Sequence, residues 1–113
     1  MLINKSIHLN PYHPFWYKYI LAHSYDLIGR QQEAIELMKK TLDVNPGFLP
    51  ARRHLAVIYS DLNRMEEARS EITEILRVSP KFSISEWRAR ARYSDPTILH
   101  RFVENLRKAG LPE

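Results

Sequence analysis

Apolar and small residues recur along this chain at helical spacing, interrupted at short and regular intervals by residues that end helices. Leu21, Ala22, Tyr25 and Ile28 fall on one side of a helix predicted over residues 15–28, and Gly29 follows where a left-handed residue is needed. A second helix is predicted from about Gln31 to Val44, with Ala34, Met38 and Leu42 in an i, i+4, i+8 row. Asn45-Pro46 closes it, because proline bars the preceding residue from continuing a helix and has no N–H to donate.

The same pattern then starts again. At an offset of 34 residues, Leu21-Ala22 falls on Leu55-Ala56, Tyr25 on Tyr59, Arg30 on Arg64, and Glu33-Ala34 on Glu67-Ala68. Leu42 falls on Leu76, Val44 on Val78, Pro46 on Pro80 and Phe48 on Phe82. Asn63 takes the place of Gly29, the second helix of the unit carries Ala68, Ile72 and Leu76, and Ser79-Pro80 closes it. The burial of Tyr25, Tyr59, Leu21, Leu55, Ala34 and Ala68 is expected to dominate stability.

Leu21, Ala22, Tyr25, Gly29, Ala34 and Pro46, repeated as Leu55, Ala56, Tyr59, Ala68 and Pro80, resemble the signature of tetratricopeptide repeats. In that pattern small residues let the two helices of a unit approach closely while the tyrosine fills the space beside them. Lys18 and Arg52 stand where the family's usual tryptophan would be, and Met38 and Ile72 replace its usual aromatic. The resemblance implies an all-α, right-handed superhelical stack of helix-turn-helix repeats with a C-terminal helical cap. Repeat 1 would cover residues 15–48, repeat 2 residues 49–82, and the two-helix cap residues 83–113.

The two ends depart from the period. Residues 1–11 read as the remnant of a preceding repeat's second helix, since Ile3, Ser6, Ile7 and Leu9-Asn10-Pro11 parallel Met38, Thr41, Leu42 and Val44-Asn45-Pro46. The chain is accordingly expected to be the C-terminal piece of a longer protein. After Phe82, Ser83-Ile84-Ser85-Glu86 is a capping box for a short helix carrying Trp87 and Ala91. Asp95-Pro96 supplies an N-cap and a first-turn proline for a last helix with Ile98, Leu99, Phe102, Val103 and Leu106. Arg101, Glu104, Asn105, Arg107 and Lys108 are expected to form its polar outer face.

This ending, together with the opening Asn10-Pro11-Tyr12-His13-Pro14-Phe15-Trp16-Tyr17, is similar to the C-terminus of bacterial proteins that join a class III adenylate/guanylate cyclase domain to tetratricopeptide repeats. That likeness implies a regulatory or scaffolding tail beside a catalytic domain and places no catalysis in this segment.

Composition narrows the chemistry. With no cysteine, disulfides, thiolate zinc sites and cysteine nucleophiles are out of the question, and a reducing cytoplasm suits the chain. No apolar run approaches bilayer length, so no membrane contact is expected of this segment. His8, His13, His23, His54 and His100 form no HExxH pair and no cluster with carboxylates, so no metal is expected. There is no GxSxG elbow, and the three glycines stand apart at Gly29, Gly47 and Gly110, which leaves no phosphate loop. The segment is therefore read as non-catalytic, with no cofactor and no small-molecule substrate.

What remains is binding. In the family the groove-facing slots fall on Trp16, Tyr19, His23 and Asp26 in the first unit and on Arg53, Val57 and Ser60 in the second. Aromatics and arginine often anchor interfaces, so a protein, a peptide or another domain of the parent chain would lie there. The alternative role for Trp16 and Tyr19 is packing on a preceding repeat, and the N-terminal face is one through which two copies can form a homodimer. Tyr19 and His23 stand where the carboxylate clamp of some relatives needs lysine and asparagine, so a clamp ligand is not expected. A second reading is a nucleic-acid-binding module that uses the basic cap, where Trp87-Arg88-Ala89-Arg90-Ala91-Arg92-Tyr93 interleaves arginines with aromatics. Against it, basic stretches on helices are mostly solvated faces, with Trp87 packed inward. The net charge of +4 fits an acidic partner of either kind.

Overall fold

The computed structural model describes residues 14–90 and 95–113. The N-terminal segment read as the remnant of a preceding helix lies outside the described residues. Six helices and no strand are present among those described: α1 (Pro14–Leu27), α2 (Gln31–Val44), α3 (Leu49–Asp61), α4 (Met65–Val78), α5 (Ile84–Arg90) and α6 (Pro96–Lys108). The chain divides into two compact units, one ending at Ala51 and one running from Arg52 to Glu113.

In the first unit α1 and α2 form a helical hairpin. Ala22 and Ala34 are both fully buried, and Ile35, Met38, Thr41 and Phe48 complete the core. The corner is set by Gly29, whose φ of 86° is a left-handed conformation that glycine adopts without a Cβ penalty. Its N–H donates to the Asp26 carbonyl (3.0 Å) and that of Arg30 to the Tyr25 carbonyl (2.8 Å), the paired bonds of a Schellman motif. Asn63 sits at φ 59° in the second unit, where its N–H donates to the Ser60 carbonyl (3.1 Å) and that of Arg64 to the Tyr59 carbonyl (2.8 Å).

The repeated identities at this corner share a physical task. The Arg30 guanidinium lies 4.9 Å from the centre of the Tyr25 ring while its Nε donates to Glu33 (2.7 Å). Arg64 does the same over Tyr59 at 4.9 Å and reaches Glu67 from Nε (2.7 Å) and Nη2 (2.6 Å). One cation thus faces an aromatic ring and ties the first turn of the following helix, where a carboxylate is favoured by the helix dipole. The unit ends are equally alike: Phe48 N–H donates to the Asn45 carbonyl (3.1 Å) and Phe82 N–H to the Ser79 carbonyl (3.0 Å), closing turns with proline at the second position.

In the second unit the core comprises Leu55, Ala56, Val57, Ile58, Tyr59, Ala68, Ile72 and Ile75, extended by Ile84, Trp87, Phe102, Val103, Leu106 and Leu111. Arg52 Nη1 on α3 pairs with Glu71 on α4 at 3.0 Å. Helix α5 starts at a Ser83 cap, whose Oγ accepts from the Glu86 N–H (3.1 Å). Asp95 caps α6 by accepting from the Thr97 N–H (2.8 Å), with Pro96 in the first turn. At the far end Gly110 (φ 104°) turns the chain and Leu111 N–H donates to the Leu106 carbonyl (3.0 Å). The tail then runs back to α5, where the N–H groups of Ile84 and Ser85 donate to the carbonyls of Pro112 (2.8 Å) and Glu113 (3.2 Å).

Three expectations are corrected. Leu21 is not a core residue but 37% exposed, and Tyr25 is only half-buried, whereas Leu55 and Tyr59 at the same register are 0% and 2% exposed. Ile28 is 67% exposed because α1 ends at Leu27 and the Schellman turn points its side chain outward. On α6, Arg101 and Asn105 do not belong to the outer face, since both are engaged with α3.

Burial pushes the Tyr59 phenol up to about 12, with the carboxylates of Glu67 and Glu71 adding to the shift and Arg64 opposing it. A folded pKa above the ordinary 10.0 means that the stability tied to the neutral phenol is complete below pH 10 and is lost as pH rises toward 12. In an alkaline titration, the tyrosinate signal that disappears in Tyr59→Phe is expected to develop near pH 12. Ionisation of that phenol at the ordinary 10.0 would contradict its burial.

Candidate functional site

Each predicted groove residue has a definite place except Trp16, whose side chain is outside the described residues. Tyr19 and His23 lie one turn apart on α1, both half-buried, with ring centres 6.3 Å apart. Tyr19 also meets Phe48 edge-on at 5.4 Å and 80°, so this ring is already used to seat the end of its own unit. Asp26 is only 4% exposed and accepts from Gln31 Nε2 at 3.4 Å across the hairpin corner. It is a corner residue rather than a lining residue.

The second unit departs further. Val57 and Ser60 are 0% and 2% exposed, and what covers them is α6. Asn105 donates from Nδ2 to the Val57 carbonyl (3.1 Å) and to Asp61 Oδ1 (2.6 Å), and its backbone carbonyl accepts from Ser60 Oγ (3.1 Å). Arg101 Nε donates to Asp61 Oδ2 at 2.8 Å. Phe102 is fully buried, edge-on to His54 at 4.9 Å and stacked on Trp87 at 5.8 Å and 12°. Arg53 places its guanidinium 5.6 Å from the centre of the Trp87 ring, and its Nε is buried with no hydrogen-bond partner among the described residues. The expectation that Arg53, Val57 and Ser60 form an open strip is therefore corrected, because the chain's own C-terminal helices lie across them.

Sequence reasoning misses a different opening, on the first unit. Leu21, Tyr25, Glu33, Glu36, Leu37 and Lys40 surround a shallow cleft of about 250 Å³ between α1 and α2. Apolar surface predominates in its lining, which also carries two carboxylates and an ammonium. No signal in a periodic pattern separates an apolar position that is covered from one that is left open. Among the described residues no three His, Cys, Asp or Glu side chains gather as metal ligands, and no helix is long and apolar enough to cross a membrane. Of the histidines, His54 is buried against Phe102, His23 adjoins Tyr19 and His100 is exposed, while His8 and His13 lie outside the described residues.

No curated protein and no solved structure matches the chain. The family model described as tetratricopeptide repeat matches residues 29–93, more than half of the length. The two-helix units, the twin corners at Gly29 and Asn63 and the fully buried alanines agree with that match, and the chain belongs to the tetratricopeptide-repeat family.

Proposed function

We propose that this chain is a protein–protein interaction scaffold that receives a helix of its partner, or of another domain of its parent chain, on the open face of α1 and α2. Tetratricopeptide repeats as a family mediate protein–protein interaction. The observation that carries the reading is the contrast within one chain: Leu55 and Tyr59 are 0% and 2% exposed, while Leu21 is 37% exposed and Tyr25 half-buried beside a mostly apolar cleft. Each unit of a repeat array buries its face against a neighbour, so an uncovered face of this composition is a place for one more helix. The resemblance of the C-terminal sequence to cyclase-linked repeat proteins supports a regulatory or scaffolding tail of a longer bacterial, cytoplasmic protein.

The nucleic-acid reading is weakened by Trp87, which is 4% exposed, stacked on Phe102 and close to the Arg53 guanidinium, and so is not open to a base. Arg88 and Arg90 remain as exposed cations.

Two experiments test the proposal. The reading frame upstream of Met1 is expected to encode a class III cyclase domain and further repeats; a frame beginning at Met1 makes the chain a free-standing adaptor instead. A photo-crosslinking residue at Leu37 in the encoded protein is expected to yield an adduct with a polypeptide. An adduct with nucleic acid alone, or none at all, would remove the scaffold reading.

A further inference from the structure

The cleft between α1 and α2 carries its charges in an order that a second copy of the same chain can answer. On α2 the residues that line it, Glu33, Glu36, Leu37 and Lys40, recur at i, i+3, i+4 and i+7 and so share one side of the helix. The carboxylates stand toward the N-terminal end of this stripe, the ammonium toward the C-terminal end, and Leu37 between them. Val44, one turn beyond Lys40, continues the stripe and is exposed. On α1, Tyr17 and Leu21 are exposed one turn apart, and Ile28 is exposed at the corner.

The charges of the stripe are open to a partner. Glu36 and Lys40 are exposed, and neither enters an ion pair among the described residues. Both Arg30 contacts to Glu33 fall on Oε2, so that carboxylate can take a second cation on Oε1. Suppose that α2 packs antiparallel on its own copy about a two-fold axis passing between Glu36 and Leu37. Glu33 of each copy then falls opposite Lys40 of the other, since the two lie equally far from the axis. The same register gathers both copies of Leu37 at the centre and carries Val44 toward the other copy's corner at Ile28. A parallel pairing would instead set Glu33 against Glu33 and Lys40 against Lys40. An unrelated partner helix requires no such self-complementary order.

We propose that the open face of α1 and α2 binds a second copy of this chain, antiparallel about a two-fold axis beside Leu37, with Lys40 of each copy paired to Glu33 and Glu36 of the other. The inference rests on the reading of this face as a place for one more helix, and it names that helix as α2 of the second copy. An isologous contact of this kind uses every ion pair twice and closes on itself, so assembly stops at the dimer. Exposed ion pairs are individually weak, so the apolar side chains supply the affinity and the charges select the orientation.

The test is sedimentation equilibrium of the full chain at micromolar to submillimolar concentration. The wild type is expected to dimerise, and Lys40→Glu, which alters an exposed side chain, to weaken the dimer at least about tenfold by turning both attractions into repulsions. Mixing Lys40→Glu with Glu36→Lys is expected to recover a heterodimer, because the new carboxylate then meets an ammonium. As the chain has no cysteine, Leu37→Cys introduces a single thiol, and a short bismaleimide is expected to join two copies through it. Lys39→Cys, exposed on the flank of α2, is expected to stay unlinked. A wild type that is monomeric throughout, a Lys40→Glu protein that dimerises as tightly as the wild type, or equal linkage at the two thiols overturns the proposal. Each of these results leaves the reading of the face as a scaffold standing if the photo-adduct at Leu37 in the encoded protein is with a different polypeptide.

Discussion

Tyr59→Ala is expected to destabilise the chain by about 3 to 5 kcal/mol, the range for removing a large buried ring from a core that relaxes only in part. Tyr59 is 2% exposed, and its ring faces the Arg64 guanidinium that also holds Glu67. The substitution therefore opens a cavity and removes the surface on which the Arg64 corner rests. Single domains commonly have only about 5 to 15 kcal/mol in all, so most of the folded population is at stake. A urea titration followed by circular dichroism measures the loss. Tyr25→Ala, at the same register but half-buried, is expected to cost clearly less. Equal costs, or an unchanged midpoint for Tyr59→Ala, would show that the register relating the two repeats is wrong.

Phe102→Ala is expected to cost about as much, again about 3 to 5 kcal/mol. Phe102 is fully buried between the His54 ring at 4.9 Å and the Trp87 ring at 5.8 Å. Aromatic pairs contribute roughly 0.5 to 1.5 kcal/mol beyond the area they bury, so two ring contacts are lost with the cavity's worth of packing. His100→Ala, on the exposed side of the same helix, is the control and is expected to leave the midpoint where it was. A Phe102→Ala protein that melts like the wild type would mean that α6 is not seated on α3.

These two sites mark where the sequence was readable and where it was not. The corners at Gly29 and Asn63, the proline turns after α2 and α4 and the caps at Ser83 and Asp95 are local events, decided by residues within a few positions of one another. The core role of Tyr59 and the inward packing of Trp87 were legible for the same reason, from spacing on a single helix. Leu21 was misread because burial depends on what lies opposite, and its own helix says nothing of that. Asn105 and Arg101 were misread because a polar residue on an amphipathic helix is assigned to water by default. Their partners Val57, Ser60 and Asp61 lie forty or more residues away in sequence. The groove slots Arg53, Val57 and Ser60 failed with them, because the chain's own C-terminal helices lie across these positions.

The Tyr–Arg–Glu corner, finally, has an evolutionary side. All that it needs lies between Tyr25 and Glu33, and again between Tyr59 and Glu67, so neither corner borrows a side chain from the other. A duplication or deletion spanning one whole period, the separation of Leu21 from Leu55, adds or removes a complete corner and leaves the rest undisturbed. Unequal recombination can therefore lengthen or shorten such an array in whole steps, each intermediate already equipped to turn its own chain.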